Sequence, residues 1–284
     1  MRSKIYLILF ALFAFSCSSD SSSDDGNNNN NGGNNNTGNA LLVSEIIYGN
    51  DDNSDYLYTD RYFYDGNKLT SIVEEYSYQN GNSGVDYMYN FIYTNNKISR
   101  VDEYYGDTST GIEGRYTFEY DNQGRISFYD YCYFTSSGTC DYYDTYNFTY
   151  SSNGSVTVSN VYNDGSTNEE TYTYTLQLDN NGNIISAYDS TNNYSLNYDN
   201  LNSPFKNIVG MDAIMLLEFA TEDLQFNAYN NCTSFTLTNN NNEGDQYNYA
   251  YDYNEDGYPR QVIATYQGGN FDGTITTTID INYY

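Results

Sequence analysis

The chain has no histidine and no tryptophan, only two prolines, and ten basic residues in 284. Each shortage closes off some chemistry. Without histidine there is no Ser-His-Asp or Cys-His nucleophile and no histidine-ligated zinc or non-haem iron. With 10 Lys and Arg against 38 Asp and Glu, the formal net charge is −28. Binding nucleic acid needs basic groups that displace counterions from phosphate, so no nucleic-acid partner is expected. Catalysis would have to rest on carboxylates, tyrosines, lysines or hydroxyls. No acid sits in a sequence context that predicts a raised pKa, so no catalytic residue and no metal or organic cofactor is expected.

The one long apolar run, "IYLILFALFAF", follows the basic "MRSK" and is too short to cross a bilayer, so it reads as a secretory signal. "AFSC", Ala14 to Cys17, resembles a bacterial lipobox, with Phe15 where a small residue is usual. That resemblance implies that residues 1–16 are removed as a lipoprotein signal peptide and that Cys17 carries the lipid. Ser18 to Asn39 has nothing apolar to bury, so residues 17–40 are the lipidated cysteine and a disordered polar tether. A flexible chain of this length spans about 25 Å on average. Asp20, Asp24 and Asp25 resemble the acidic export signal of some Gram-negative lipoproteins. The expected location is the outer membrane, facing the cell exterior, with the bilayer touched only through the lipid.

Residues 41–284 form one compositional block, and it repeats. The turns in "YFYDGNKL", "FIYTNNKI", "FEYDNQGRI", "FTYSSNGSV" and "LQLDNNGNI" are marked by Tyr64, Tyr93, Tyr120, Tyr150 and Leu178, at intervals of 29, 27, 30 and 28 residues. A late copy, "YDYNEDGYP", starts at Tyr251. Before each turn the period is two: Tyr116, Phe118 and Tyr120 alternate with Thr117 and Glu119. One strand face is therefore aromatic and the other polar. Asp or Ser, Asn and Gly supply turn chemistry, and an aliphatic residue (Leu69, Ile98, Ile126, Val156, Ile184) opens the returning strand.

The copies resemble YD (Rhs-type) repeats, best through Tyr120, Asp121, Gly124, Arg125 and Ile126, and the whole chain resembles bacterial surface lipoproteins of unknown function built from such hairpins. Thr94 and Ser151 replace the aspartate in two copies, and the arginine stands in one. The resemblance implies fold and supplies no catalytic residues. The expected fold is all-β: a meander of antiparallel β-hairpin repeats forming one long twisted sheet. Asn207 to Phe226 should form a short helical or loop plug over one end, with Asp212 as a cap for Ile214, Leu217 and Leu224.

"DYNEDG", Asp252 to Gly257, matches half of a calcium loop, but Ile263 stands where the bidentate glutamate belongs; it reads as a turn, as do Asp121 and Asp179. Cys132 and Cys140 flank a hairpin loop in an exported chain, which predicts a disulfide and leaves Cys232 unpaired and buried. Most of the 37 tyrosines should pack the sheet. Tyr129 and Tyr143, placed on the opposite, polar face, are the ligand-binding candidates, for a glycan or protein ligand. Three functions remain open: a binding or adhesion module, a scaffold subunit of an outer-membrane complex, and a carboxylate-dependent glycoside hydrolase.

Overall fold

The computed structural model describes residues 41–48, 56–78, 81–106, 108–163, 169–211, 230–240, 244–268 and 274–284. The signal peptide, Cys17, the tether and the segment from Asp212 with its expected helix lie outside the described residues.

The strands are β1 (Val43–Tyr48), β2 (Tyr56–Asp65), β3 (Lys68–Tyr78), β4 (Ser83–Thr94), β5 (Lys97–Tyr105), β6 (Gly114–Tyr120), β7 (Ile126–Phe134) and β8 (Cys140–Tyr150). They continue as β9 (Ser155–Asn163), β10 (Glu169–Leu178), β11 (Ile184–Tyr188), β12 (Asn192–Tyr198), β13 (Cys232–Asn239), β14 (Gly244–Tyr253), β15 (Pro259–Gln267) and β16 (Ile275–Tyr283). Each pairs antiparallel with the next, as the hairpin meander requires. The ends then meet: β1 pairs with β16 in the register Ile46 to Ile281, and the sheet closes into a barrel. An open, long twisted sheet is therefore the wrong architecture. Sixteen right-twisted strands coil far enough to bring the two edges together, and their pairing removes both rows of unsatisfied edge groups.

The turn chemistry works as the sequence implies. Asp121 Oδ1 accepts from the backbone N–H groups of Gln123 and Arg125 at 2.9 Å each. Asp179 repeats this with Asn181 and Asn183, and Asn254 with Asp256 and Tyr258. Gly124, Gly182 and Gly257 take positive φ; in the copy without glycine, Asn95 and Asn96 do so, at 52° and 59°.

A β-bulge follows the turn in five of the six repeat hairpins. Tyr120 opposes Ile126 but Glu119 opposes Phe128, leaving Ser127 as the extra residue. The same slip recurs beside Tyr64, Tyr93, Leu178 and Tyr253, whereas β8 and β9 keep regular register. Each bulge inverts the alternation for the rest of its returning strand. This is why Tyr129, expected on the polar face, points inward and is buried. Counted straight from Ile126 it should face out; with Ser127 bulged, Tyr129 and Tyr131 join Ile126 on the core face.

A round barrel of sixteen strands would hold a water-filled lumen. This one is filled. One residue from every strand, from Val43 through Tyr62, Leu69, Tyr89, Ile98, Tyr116, Ile126, Phe148, Val156, Leu176, Ile184, Leu196, Cys232, Tyr249 and Val262 to Ile279, joins a single buried cluster. Successive hairpins are also latched by tyrosine hydroxyls. Tyr120 donates to the Ile98 carbonyl at 2.6 Å, Tyr198 to Ile184 at 2.9 Å and Tyr283 to Pro259 at 2.7 Å.

Residues 199–211, which follow β12, close the end that carries the tight turns. Phe205, Ile208 and Met211 are buried, and Phe205 packs against Tyr62 with centroids 5.8 Å apart. Val209 N–H donates to the Asn67 carbonyl at 2.9 Å, and Asn207 Nδ2 donates to the Leu41 carbonyl and to Tyr258 Oη, both at 2.8 Å. Gly210 lies so close to the β4–β5 hairpin that a Cβ would stand 3.2 Å from the Ile98 nitrogen. The chain enters β1 at this plugged end.

Tyr120→Phe should lower stability by about 1 kcal/mol in denaturant titration, the worth of one hydrogen bond to a buried carbonyl. A loss within error would show that the latch is dispensable.

Candidate functional site

The barrel presents three places where chemistry could occur: its interior near the unplugged end, the rim above it, and its outer wall. In the interior, Asp60, Glu74 and Glu103 all sit at inward positions of β2, β3 and β5 and are 4–7% exposed. Asp60 and Glu74 face each other directly across the β2–β3 ladder. Tyr48 Oη donates to Asp60 Oδ2 at 2.9 Å, and Tyr116 Oη donates to Glu103 Oε2 at 3.1 Å. The wall is shaped around these groups: a Cβ on Gly114 would stand 2.5 Å from Glu103 Oε2 and 2.7 Å from the Tyr131 hydroxyl.

No ion pair to any of the three occurs among the described residues. Burial pushes Asp60 and Glu74 up, with mutual repulsion adding to Glu74, and burial pushes Glu103 from 4.5 up to about 7 against the opposing Tyr116 hydrogen bond. Removal from water penalises the carboxylate form, so these acids favour the protonated state. The sequence carries the signal in "YTDRY", where Asp60 holds an inward place between Tyr58 and Tyr62. Inward acids amid aromatics are a raised-pKa context, contrary to the expectation that no acid has one.

The rim holds a pocket of about 350 Å³ between the 3-10 turn at Thr108–Thr110 and the β7–β8 loop. Tyr105, Ile112, Glu113 and Phe134 line it. Its far wall is tied by the Cys132–Cys140 disulfide, whose Cα atoms are 5.6 Å apart. Cys232 is free and buried on β13. Tyr143 stands on the outer wall near this rim, where its hydroxyl donates to Glu169.

The outer wall is divided by charge. On β1 to β7 the outward positions include Glu45, Arg61, Glu75, Arg100, Asp102, Arg115, Glu119 and Asp130. Arg100 and Arg115 both pair with Asp102, at 3.0 and 2.7 Å. From β9 to β13 the outward rows are hydroxyls and amides: Thr157, Thr175, Asn193 and Thr238 run across the ladder, as do Gln177, Ser186, Ser195 and Thr236. Tyr188 interrupts the first row, between Thr175 and Asn193, and is 52% exposed. Sequence reasoning missed Tyr188 because the bulge at Ile185 shifts its strand, as Ser127 shifts Tyr129.

No family model matches the sequence, and no curated protein matches it. Among solved structures, the chain is similar to a porin-like protein from Bacteroides vulgatus, with 10% identity, a TM-score of 0.51, and coverage of 86% of this chain and 99% of that one. A porin-like protein from Bacteroides uniformis matches with 14% identity, a TM-score of 0.42, and coverage of 85% and 98%. With the Bacteroides vulgatus protein the chain shares its overall fold. In transmembrane barrels the apolar residues face out and the polar residues face in. Here the alternation is reversed.

The buried acids set a pH dependence. Glu103 is raised in the fold, so its stabilising contribution is full below about pH 4.5 and is lost as pH rises through about 7. The melting temperature should fall between pH 5 and pH 8. Glu103→Gln, which keeps an acceptor for Tyr116, should melt near the parent at pH 5 and above it at pH 8. Equal slopes for parent and variant would exclude Glu103 as the titrating group.

Proposed function

We propose that this chain is a lipid-anchored outer-membrane protein, facing the cell exterior, that binds a glycan or protein ligand without catalysis. The observation that carries this reading is the reversed alternation. A filled lumen offers no conduit, and an outer wall on which charge, threonine, serine and asparagine surround single apolar residues such as Phe63 and Ile263 cannot face hydrocarbon. A barrel of this kind meets a membrane through an attachment outside itself, which Cys17 and the polar tether supply. Because β1 starts at the plugged end, the tether holds that end toward the bilayer and turns the rim outward. The lipobox and the YD-like repeat resemblance agree with this, and the shared barrel architecture is compatible with an outer-membrane component.

A binding role is favoured over hydrolysis because Asp60, Glu74 and Glu103 are sealed among tyrosines. A glycosidase needs two carboxyls flanking a cleft that admits the sugar. The scaffold reading differs only in its ligand, which would be another subunit.

In a Gram-negative host, the parent chain should fractionate with the outer membrane and be cleaved by protease added to intact cells. Cys17→Ala should be recovered as unlipidated, soluble protein. Membrane retention of an acylated Cys17→Ala protein would refute the anchor, and protection from protease in intact cells would refute the outward orientation.

A further inference from the structure

The acidity of the chain makes its charge-free wall unusual. With 38 acids and a net charge of −28, a random outer surface would carry carboxylates on every strand. On β9 to β13 the described acids keep to the ends of the strands, and the interior outward positions are hydroxyl, amide or valine. Five strands at about 4.8 Å spacing give a wall roughly 20 Å wide. On the central strand of the five, as the last residue of β11 before the turn capped by Asp189, stands Tyr188, with Thr175 and Asn193 opposite it on the two neighbouring strands. Directly opposed residues have Cβ atoms about 5 Å apart, which is within reach of one ligand ring.

We infer that Tyr188, Thr175 and Asn193 form a subsite for a neutral polysaccharide laid across the β9–β13 wall. This rests on the non-catalytic binding reading and names its ligand class. Three observations select that class. The Tyr188 ring is half exposed, and among the described residues it makes no hydrogen bond or ring contact, so one face is free to stack on the apolar face of a pyranose. Its neighbours supply a hydroxyl and an amide, which donate to and accept from sugar hydroxyls, and neither side chain makes a hydrogen bond among the described residues. No outward side chain of the Thr175, Tyr188 and Asn193 row is charged, and the carboxylate of the adjacent Asp189 is taken up by Thr191 and Asn192 within the turn, so a neutral glycan meets no desolvated carboxylate left unpaired. An anionic glycan would find no cation here to offset the field of the whole chain.

The full chain in detergent is tested against immobilised starch, mannan, xylan, polygalacturonate and heparin. The expected result is retention on at least one of the three neutral polymers and on neither acidic one. Tyr188→Ala should weaken that retention at least tenfold, and Tyr188→Phe, which keeps the ring, should stay within threefold of the parent. Thr175→Asp, which places a carboxylate beside the ring, should also abolish it. Melting curves that match the parent's exclude misfolding, which is not expected at outward positions. Retention unaffected by Tyr188→Ala overturns the subsite while the binding reading stands. Retention on the acidic polymers alone, or capture of a protein partner with no polysaccharide retained, overturns the ligand class. Release of sugar from any polymer by the parent overturns the non-catalytic reading itself.

Discussion

The interior of this closed ring of sixteen strands has an aliphatic centre, and tyrosines, most of them half-buried, pack around it. The ring supplies bulk and the hydroxyl supplies an exit for polarity. At the plugged end that exit is the backbone of the preceding hairpin, as in Tyr120 to Ile98 and Tyr198 to Ile184. Near the other end it is a carboxyl, as in Tyr48 to Asp60 and Tyr116 to Glu103. Phenylalanine at these positions would fill the same volume but leave carbonyls and carboxyls without donors. At these positions the packing of a ring and the satisfaction of a buried polar group are one constraint met by one residue type.

The same constraint explains the plug. Tight two-strand turns leave a gap at the end of the barrel, and Phe205, Ile208 and Met211 occupy it. Asn207 ties that insertion to the segment entering β1 and to Tyr258, so the plug also fastens the seam where the barrel closes.

The strands, the turns and the aromatic face were legible in the sequence because period-two alternation and Asx-Gly turns are local signals. Asp121 and Asp179 behave as turn residues for the reason that their position suggested. Closure was not legible, since the pairing of Ile46 with Ile281 joins the two ends of the chain and no local pattern encodes it. The inward position of Tyr129 and the outward position of Tyr188 were lost for a smaller reason: one bulged residue, Ser127 or Ile185, inverts the parity of all that follows. The cysteine pair was readable because Cys132 and Cys140 flank a single hairpin loop. The acidic interior was written in the alternation of Tyr58, Asp60 and Tyr62, but without closure there was no lumen to assign it to.

The seam between β1 and β16 also sets the order of events when the chain is made. Glu45 accepts from Asn282, 237 residues away, at 2.8 Å. Every other pairing joins neighbours in the chain and can form as the polypeptide emerges, whereas β1 must wait for the last strand. Contacts of such sequence separation slow folding because the loop entropy is lost before they form. Until then two open edges flank a sheet with an uncovered aromatic face. A ring also tolerates duplication differently from an open array. An added hairpin in a solenoid lengthens it, but here it would enlarge the circumference and leave a lumen that the existing tyrosines no longer fill. The number of repeats is thus fixed by the volume of the side chains inside them.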